Sequence, residues 1–179
     1  MVPDLRCPGM RRRRRVVGGR PGHLHALWHS PERPRYPACH FDHGPRWVTY
    51  SVEGDTWFGF ESIRVMPGVD PEVLLIPLVG HSRGHTGVAV RDADGWLLHC
   101  GDAYFHRSEV ADPPSCPPAL RHFQNAMAAD RRARRRNQER LRELAREHGD
   151  EVRLFCAHDP VELQRARSAE LPVVEAADG

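Results

Sequence analysis

A chain of 179 residues, 40% hydrophobic and 28% charged, amounts to one ordinary globular domain and excludes fibrous and wholly disordered classes. No stretch approaches the roughly 18 consecutive apolar residues that a membrane span needs, and Arg11 to Arg15 precede no apolar segment of the signal-peptide kind. A soluble, cytoplasmic chain with no membrane partner is expected. The net charge of +2 hides an asymmetry: residues 1–46 hold ten arginines against Asp4, Glu32 and Asp42, whereas the remainder is acidic. All 26 basic residues are arginine, as strongly GC-rich coding produces.

Residues 1–35 are rich in Arg, Pro and Gly. Pro3, Pro8, Pro21, Pro31 and Pro34 oppose any long helix or ladder strand, so a disordered or loosely attached basic arm is expected. The same composition is what a shifted reading frame or a wrong start would give. From Trp47 onward the pattern is that of a folded domain, expected to run to residue 167 before a flexible tail, 168–179. Trp47 to Val52 and Trp57 to Glu61 are β-prone and flank Glu53-Gly54-Asp55, which predicts a hairpin. Val73 to Val79 is a continuous apolar run, predicting a strand buried on both faces. Gly87 to Val90 and Trp96 to Cys100, joined through Asp92 to Gly95, predict a second hairpin.

After Pro117-Pro118 the pattern turns helical. Asp130 caps a predicted helix over 131–148, with Leu141, Leu144, Ala145 and His148 on one side, the Arg131 to Arg136 cluster away from it, and Gly149 as the stop. Val152 to Cys156 reads as another buried strand, and Val161 to Arg167 as a closing helix.

Chemistry concentrates at three strand ends. Gly80-His81-Ser82-Arg83-Gly84-His85-Thr86 follows the Val73 to Val79 run, Gly101-Asp102-Ala103-Tyr104 follows Trp96 to Cys100, and Ala157-His158-Asp159 follows Val152 to Cys156. Singly, a histidine at a strand end is more often structural than a ligand, and an aspartate there is more often a cap or turn residue. Together they place nitrogen and carboxylate ligand types on three strand ends able to share one rim.

This series resembles the later metal motifs of the metallo-β-lactamase superfamily, the hydrolases that include glyoxalase II and the lactonases. The resemblance covers residues 36–167 and implies an α+β fold, an αββα sandwich with a site for one or two metal ions along one edge. Carried over, the second histidine of the GHxxGH stretch, His85, is a metal ligand, Asp102 bridges two ions and His158 completes the second. The implied cofactor is zinc, with iron or manganese as alternatives. The implied activity is attack of a metal-bound water on an ester, lactone, thioester or amide of a small-molecule substrate.

The sequence departs from that pattern in one respect. The family's earlier HxHxDH stretch, source of three further ligands and of the aspartate that orients water, is absent. His23-Leu24-His25 shares only its first letters, with Leu27 and Trp28 where the aspartate and third histidine belong. The fold is therefore expected to be N-terminally truncated, with two consequences: weak metal binding with impaired catalysis, and self-association through exposed core. No catalytic residue is assigned; His81, His99 and His106 read as supporting or surface groups, and Tyr104 as a core or rim residue. A third reading, nucleic-acid binding through Arg11 to Arg15 and Arg131 to Arg136, is disfavoured. Trp47, Trp57 and Trp96 lie in apolar strands and offer no stacking platform, and Glu139, Glu143 and Glu147 offset the helix cluster.

Overall fold

A computed structural model of the chain describes residues 15–18, 39, 43, 47–50, 56–64 and 71–168. The chain divides into two compact units, Met1–Ile63 and Arg64–Gly179. In the first, β1 (Arg15–Gly18) pairs in parallel with β2 (Trp47–Tyr50), and β3 (Thr56–Trp57) pairs antiparallel with β4 (Phe60–Glu61). A hairpin closes on Phe58-Gly59, at φ 44° and 75°; the turn expected at Glu53 to Asp55 lies outside the described residues. Two consecutive residues at positive φ give the turn whose twist matches a two-residue hairpin, and glycine takes one of these positions without a Cβ penalty. The arm also contains a ladder strand: the proline-free stretch around Val16-Val17 supplies β-branched residues. The rest of the arm, including His23 and His25, and residues 169–179 lie outside the described residues.

A two-residue strand β5 (Ile63–Arg64) falls at the boundary between the units. The second unit is built on β6 (Val73–Pro77), β7 (Thr86–Asp92), β8 (Gly95–His99) and β9 (Val152–Phe155), adjacent in that order. The pairs β6–β7 and β7–β8 are antiparallel and β8–β9 is parallel. The second hairpin forms as the sequence predicts, with Asp92 opposite Gly95. The strand at Val73 to Val79 is buried on one face only: Leu74, Ile76 and Leu78 are enclosed, while Val73, Leu75 and Pro77 are half-buried and Val79 is exposed. Ala89, Trp96, Leu98 and Val152 continue the enclosed face across the sheet.

Three helices follow: α1 (Pro118–Met127), α2 (Arg131–Glu147) and α3 (Pro160–Ser168), of which α2 and α3 both contact β9. The Asp130 carboxylate accepts from the Ala133 N–H at 2.9 Å, the expected cap. The buried face of α2 begins earlier than its leucines suggest, running through Ala133, Arg134, Asn137, Gln138, Leu141 and Leu144. Arg134 thus turns inward, contrary to the expectation that the whole arginine cluster faces away. It donates to Gln124 Oε1 at 2.6 Å and Asn125 Oδ1 at 2.9 Å, fastening α2 to α1. Among the described residues no helix is long and apolar enough to cross a membrane.

Candidate metal-hydrolase site

Because β6 and β8 both run antiparallel to β7, and β9 runs with β8, the C-terminal ends of β6, β8 and β9 share one rim. The three polar segments leave the sheet there. Each is held from below. The segment after β6 is tied to α2: Asn137 Nδ2 donates to the Val79 carbonyl at 2.8 Å, and the Asp130 and Ala129 N–H groups donate to the carbonyls of Gly80 and His81. The segment after β8 is held by Gln138, whose amide donates to the Ala103 carbonyl at 3.0 Å. It is also held by the buried Glu109 carboxylate, which accepts from the Phe105 and His106 N–H groups at 3.0 and 3.1 Å. The segment after β9 joins the previous one through the Ala157 N–H and Gly101 carbonyl, 3.0 Å apart.

On this frame the structure brings His85, Asp102 and His158 together. His158 Nε2 lies 3.0 Å from Asp102 Oδ1, and His81 Nε2 lies 3.5 Å from Asp102 Oδ2, so two imidazoles flank one carboxylate. His85 stands behind them. Its Nδ1–H donates to the Leu78 carbonyl at 2.8 Å, and its Nε2 accepts the Asp102 N–H at 2.8 Å. Burial holds its pKa below the ordinary histidine value, against the opposing pull of the Leu78 carbonyl and Asp102, so the ring is neutral at pH 7. Gly101 makes the approach possible: it has φ 55°, and a Cβ there would lie 2.7 Å from His85 Nε2.

Several supporting residues carry no strong signal in the sequence. Phe105 stacks on His158 with ring centroids 4.2 Å apart, one turn residue beyond a motif whose aspartate draws the eye. Asp159 was legible. In Asp159-Pro160-Val161-Glu162 the aspartate is a helix cap, proline the first helical residue and glutamate the third, a helix-start pattern. Its carboxylate accepts from Val161 N–H at 3.0 Å and meets Arg107 through both the backbone N–H, at 2.9 Å, and the guanidinium, at 3.1 Å. Burial pushes the Asp159 carboxyl up, and these donors more than reverse it, leaving its pKa below the ordinary carboxylate value.

Tyr104 is a core residue. It is fully buried and its hydroxyl donates to the Glu162 carboxylate at 3.0 Å, which also accepts the Cys156 N–H at 2.9 Å. His99 packs against Phe155 and His106 caps the short helical turn Arg107–Glu109, so both are structural. Burial pushes the Cys156 thiol up to about 12 and the Cys100 thiol well above its usual value, so neither is a thiolate nucleophile at neutral pH.

Imidazole nitrogen and carboxylate oxygen suit a divalent cation, but their arrangement here does not fit one. Both ring nitrogens of His85 are already engaged, and among the described residues no group of three or more His, Cys, Asp or Glu is placed to hold a metal ion.

Two curated relatives, probable metallo-hydrolases from Mycobacterium tuberculosis and Mycobacterium bovis, are each 38% identical to this chain over 142 residues, 78% of its length. The chain covers 46% of each, so it spans about half the length of the curated relatives it matches. An N-acyl homoserine lactone hydrolase, solved with the product N-hexanoyl-L-homoserine at its catalytic metal centre, superposes with a TM-score of 0.54 at 20% identity. That match covers 85% of this chain and 49% of that one. A quorum-quenching N-acyl homoserine lactone lactonase gives 0.53, again at 20% identity, over 87% and 52% of the two chains.

The chain is similar to probable metallo-hydrolases and has the metallo-β-lactamase-like fold of these lactonase structures. At this identity the lactonase structures establish the fold alone. No family model matches the chain. As a metallo-β-lactamase fold, the sheet and helices of the second unit explain why residues so far apart in sequence meet at one rim.

Proposed function

We propose that the chain is a metal-dependent hydrolase acting on a small-molecule ester, lactone, thioester or amide. The observation that carries this reading is the meeting of Asp102 and His158 on one rim, 3.0 Å apart across 56 residues of sequence, in a relative of probable metallo-hydrolases. Asp102 and His158 would hold a divalent ion only with further donors from outside the described residues; such an ion, zinc foremost and iron or manganese as alternatives, would supply Lewis acidity toward a carbonyl.

The residues of this chain contribute the surroundings. Asp102 and His158 are partly open to solvent, with side chains 34% and 48% exposed, so a substrate can reach them. Phe105 walls one side of His158, and half-buried His85 fixes the backbone of Asp102. Because the described donors are incomplete, a chain that relies on them alone binds its ion weakly and turns over slowly.

The test is metal content after equilibration with zinc, manganese or iron, together with turnover of a nitrophenyl ester and a γ-lactone. Substoichiometric metal and slow turnover are expected, both lost in Asp102→Ala and in His158→Ala. Turnover that survives Asp102→Ala in a folded chain would remove the proposal.

A further inference from the structure

The arginine cluster of α2 plays no part in the site described above. With Arg134 turned inward, Arg131, Arg132, Arg135 and Arg136 are all exposed, and together with Glu139 they line an open cleft of about 640 Å³. Among the described residues Arg132, Arg135 and Arg136 make no hydrogen bond or ion pair, while Arg131 Nε donates to the Asn125 carbonyl at 2.8 Å. No acidic residue stands in the first turn of the helix. Four arginines thus stand exposed on a helix that Arg134 fixes to α1, and the guanidinium group of each retains free donors.

We propose that this face of α2 binds condensed phosphate, a triphosphate chain held across the four guanidinium groups. Guanidinium forks match phosphate oxygens in pairs, and a polyanion relieves the mutual repulsion of the four cations. The arginines form two rows, 131 with 135 and 132 with 136. Residues four apart on a helix are about 6 Å apart, close to the span of a triphosphate. The patch is compact. Asp130 bounds it at one end and Glu139 and Glu143 at the other, so a long polyanion such as duplex nucleic acid would meet repulsion at both ends of its track.

The experiment is calorimetric titration of the 179-residue chain with inorganic triphosphate, at low and at physiological salt, with monophosphate, a nucleoside triphosphate and duplex DNA as parallel arms. One triphosphate per chain is expected, bound far more tightly than monophosphate. Comparable affinity for the nucleoside triphosphate would show that the site takes the phosphate chain from either source; much tighter binding would show that the base is also held. The triple variant R132Q/R135Q/R136Q should lose at least about tenfold in affinity, and R132K/R135K/R136K, which keeps charge but not the fork, should fall between. The exposed pair R165Q/R167Q on α3 is the control and should bind as the parent does. Equal loss in that control, absence of triphosphate binding at low salt, or tighter binding of duplex DNA per phosphate would each overturn the assignment. All these positions are exposed, so thermal melts of each variant should match the parent's.

Discussion

His158 Nε2 lies 3.0 Å from Asp102 Oδ1, although 56 residues and two helices of more than one turn separate them in the chain. The parallel pairing of β8 with β9 is responsible: it sets His99 beside Phe155, so the segments that leave these strands start as neighbours. The Ala157 N–H to Gly101 carbonyl bond carries that pairing past the strand ends. The two side chains are therefore positioned by the sheet, and their contact requires only that each segment keep its local bonds.

Gly101→Ala should disturb that contact from beneath. The substituted residue keeps φ near 55° only with strain, and its Cβ meets His85 Nε2 at 2.7 Å. A loss of about 1–3 kcal/mol is expected from the strained backbone, more if His85 is displaced. Urea denaturation measures it; an unchanged midpoint would show that His85 moves aside freely.

Asp159→Ala should cost more than its neighbour's replacement. It removes the helix cap of α3 and leaves Arg107 without the partner that receives both its backbone N–H and its guanidinium. The Asp159 side chain is wholly enclosed but the Arg107 side chain left behind is 40% exposed, so a loss of about 1–3 kcal/mol is expected, from the lost helix cap and the unpaired backbone N–H. Asp159→Asn, which keeps an acceptor oxygen, should lose less. Chemical denaturation of both variants against His158→Ala, whose side chain is half exposed, provides the comparison.

The elements most legible in the sequence are those with one dominant local cause. Asp92 to Gly95 joins two apolar strands and forms the hairpin; Asp130 caps α2; His85, Asp102 and His158 meet at the rim. What was not legible depends on partners distant in the chain. Arg134 sits in a run of arginines, and only Gln124 and Asn125 on α1 make its burial acceptable. Helix α1 itself was seen only as a change of pattern after Pro117-Pro118, because Phe123 and Met127 stay exposed and no regular apolar stripe announces it. The pairing of β1 with β2 joins residues about thirty positions apart, which no local turn signal specifies.

Stability should fall as the solution is acidified below the ordinary histidine range. Burial lowers the pKa of both His85 and His99 from 6.5, so in that range the unfolded chain binds more protons than the folded one. The stabilisation is present in full above about pH 6.5 and is lost as pH falls toward the lowered folded values. Glu162 has the opposite sign. Its pKa is raised by burial from 4.5, so its contribution is present at low pH and is lost as pH rises through the raised value. The histidine contribution to the melting temperature should therefore decline between about pH 7 and pH 5, read as the difference between the parent and His85→Gln, whose profile should be flatter. A parallel slope in that variant would place the effect elsewhere.

Glu109 should prove the least replaceable residue of the segment after β8. One oxygen accepts from the N–H groups of Phe105 and His106 and from Gln124 Nε2 at 2.8 Å, and the other from Gln138 Nε2 at 3.3 Å, so four donors converge on a carboxylate that is 5% exposed. Glu109→Ala leaves the half-buried Phe105 and His106 N–H groups and the buried Gln124 amide without this acceptor, each costing about 1–3 kcal/mol where water cannot enter, while Gln138 keeps the Ala103 carbonyl. Glu109→Gln keeps the shape but points an amide donor at other donors, so it should rescue little. Because Phe105 and His106 lie between Asp102 and Arg107, loosening them should also free the wall over His158. Hydrogen exchange at residues 103–109 should then rise ahead of exchange in β8. If Glu109→Gln restores protection in that segment, the carboxylate serves by shape alone and the charge of Glu109 has no part in holding the rim.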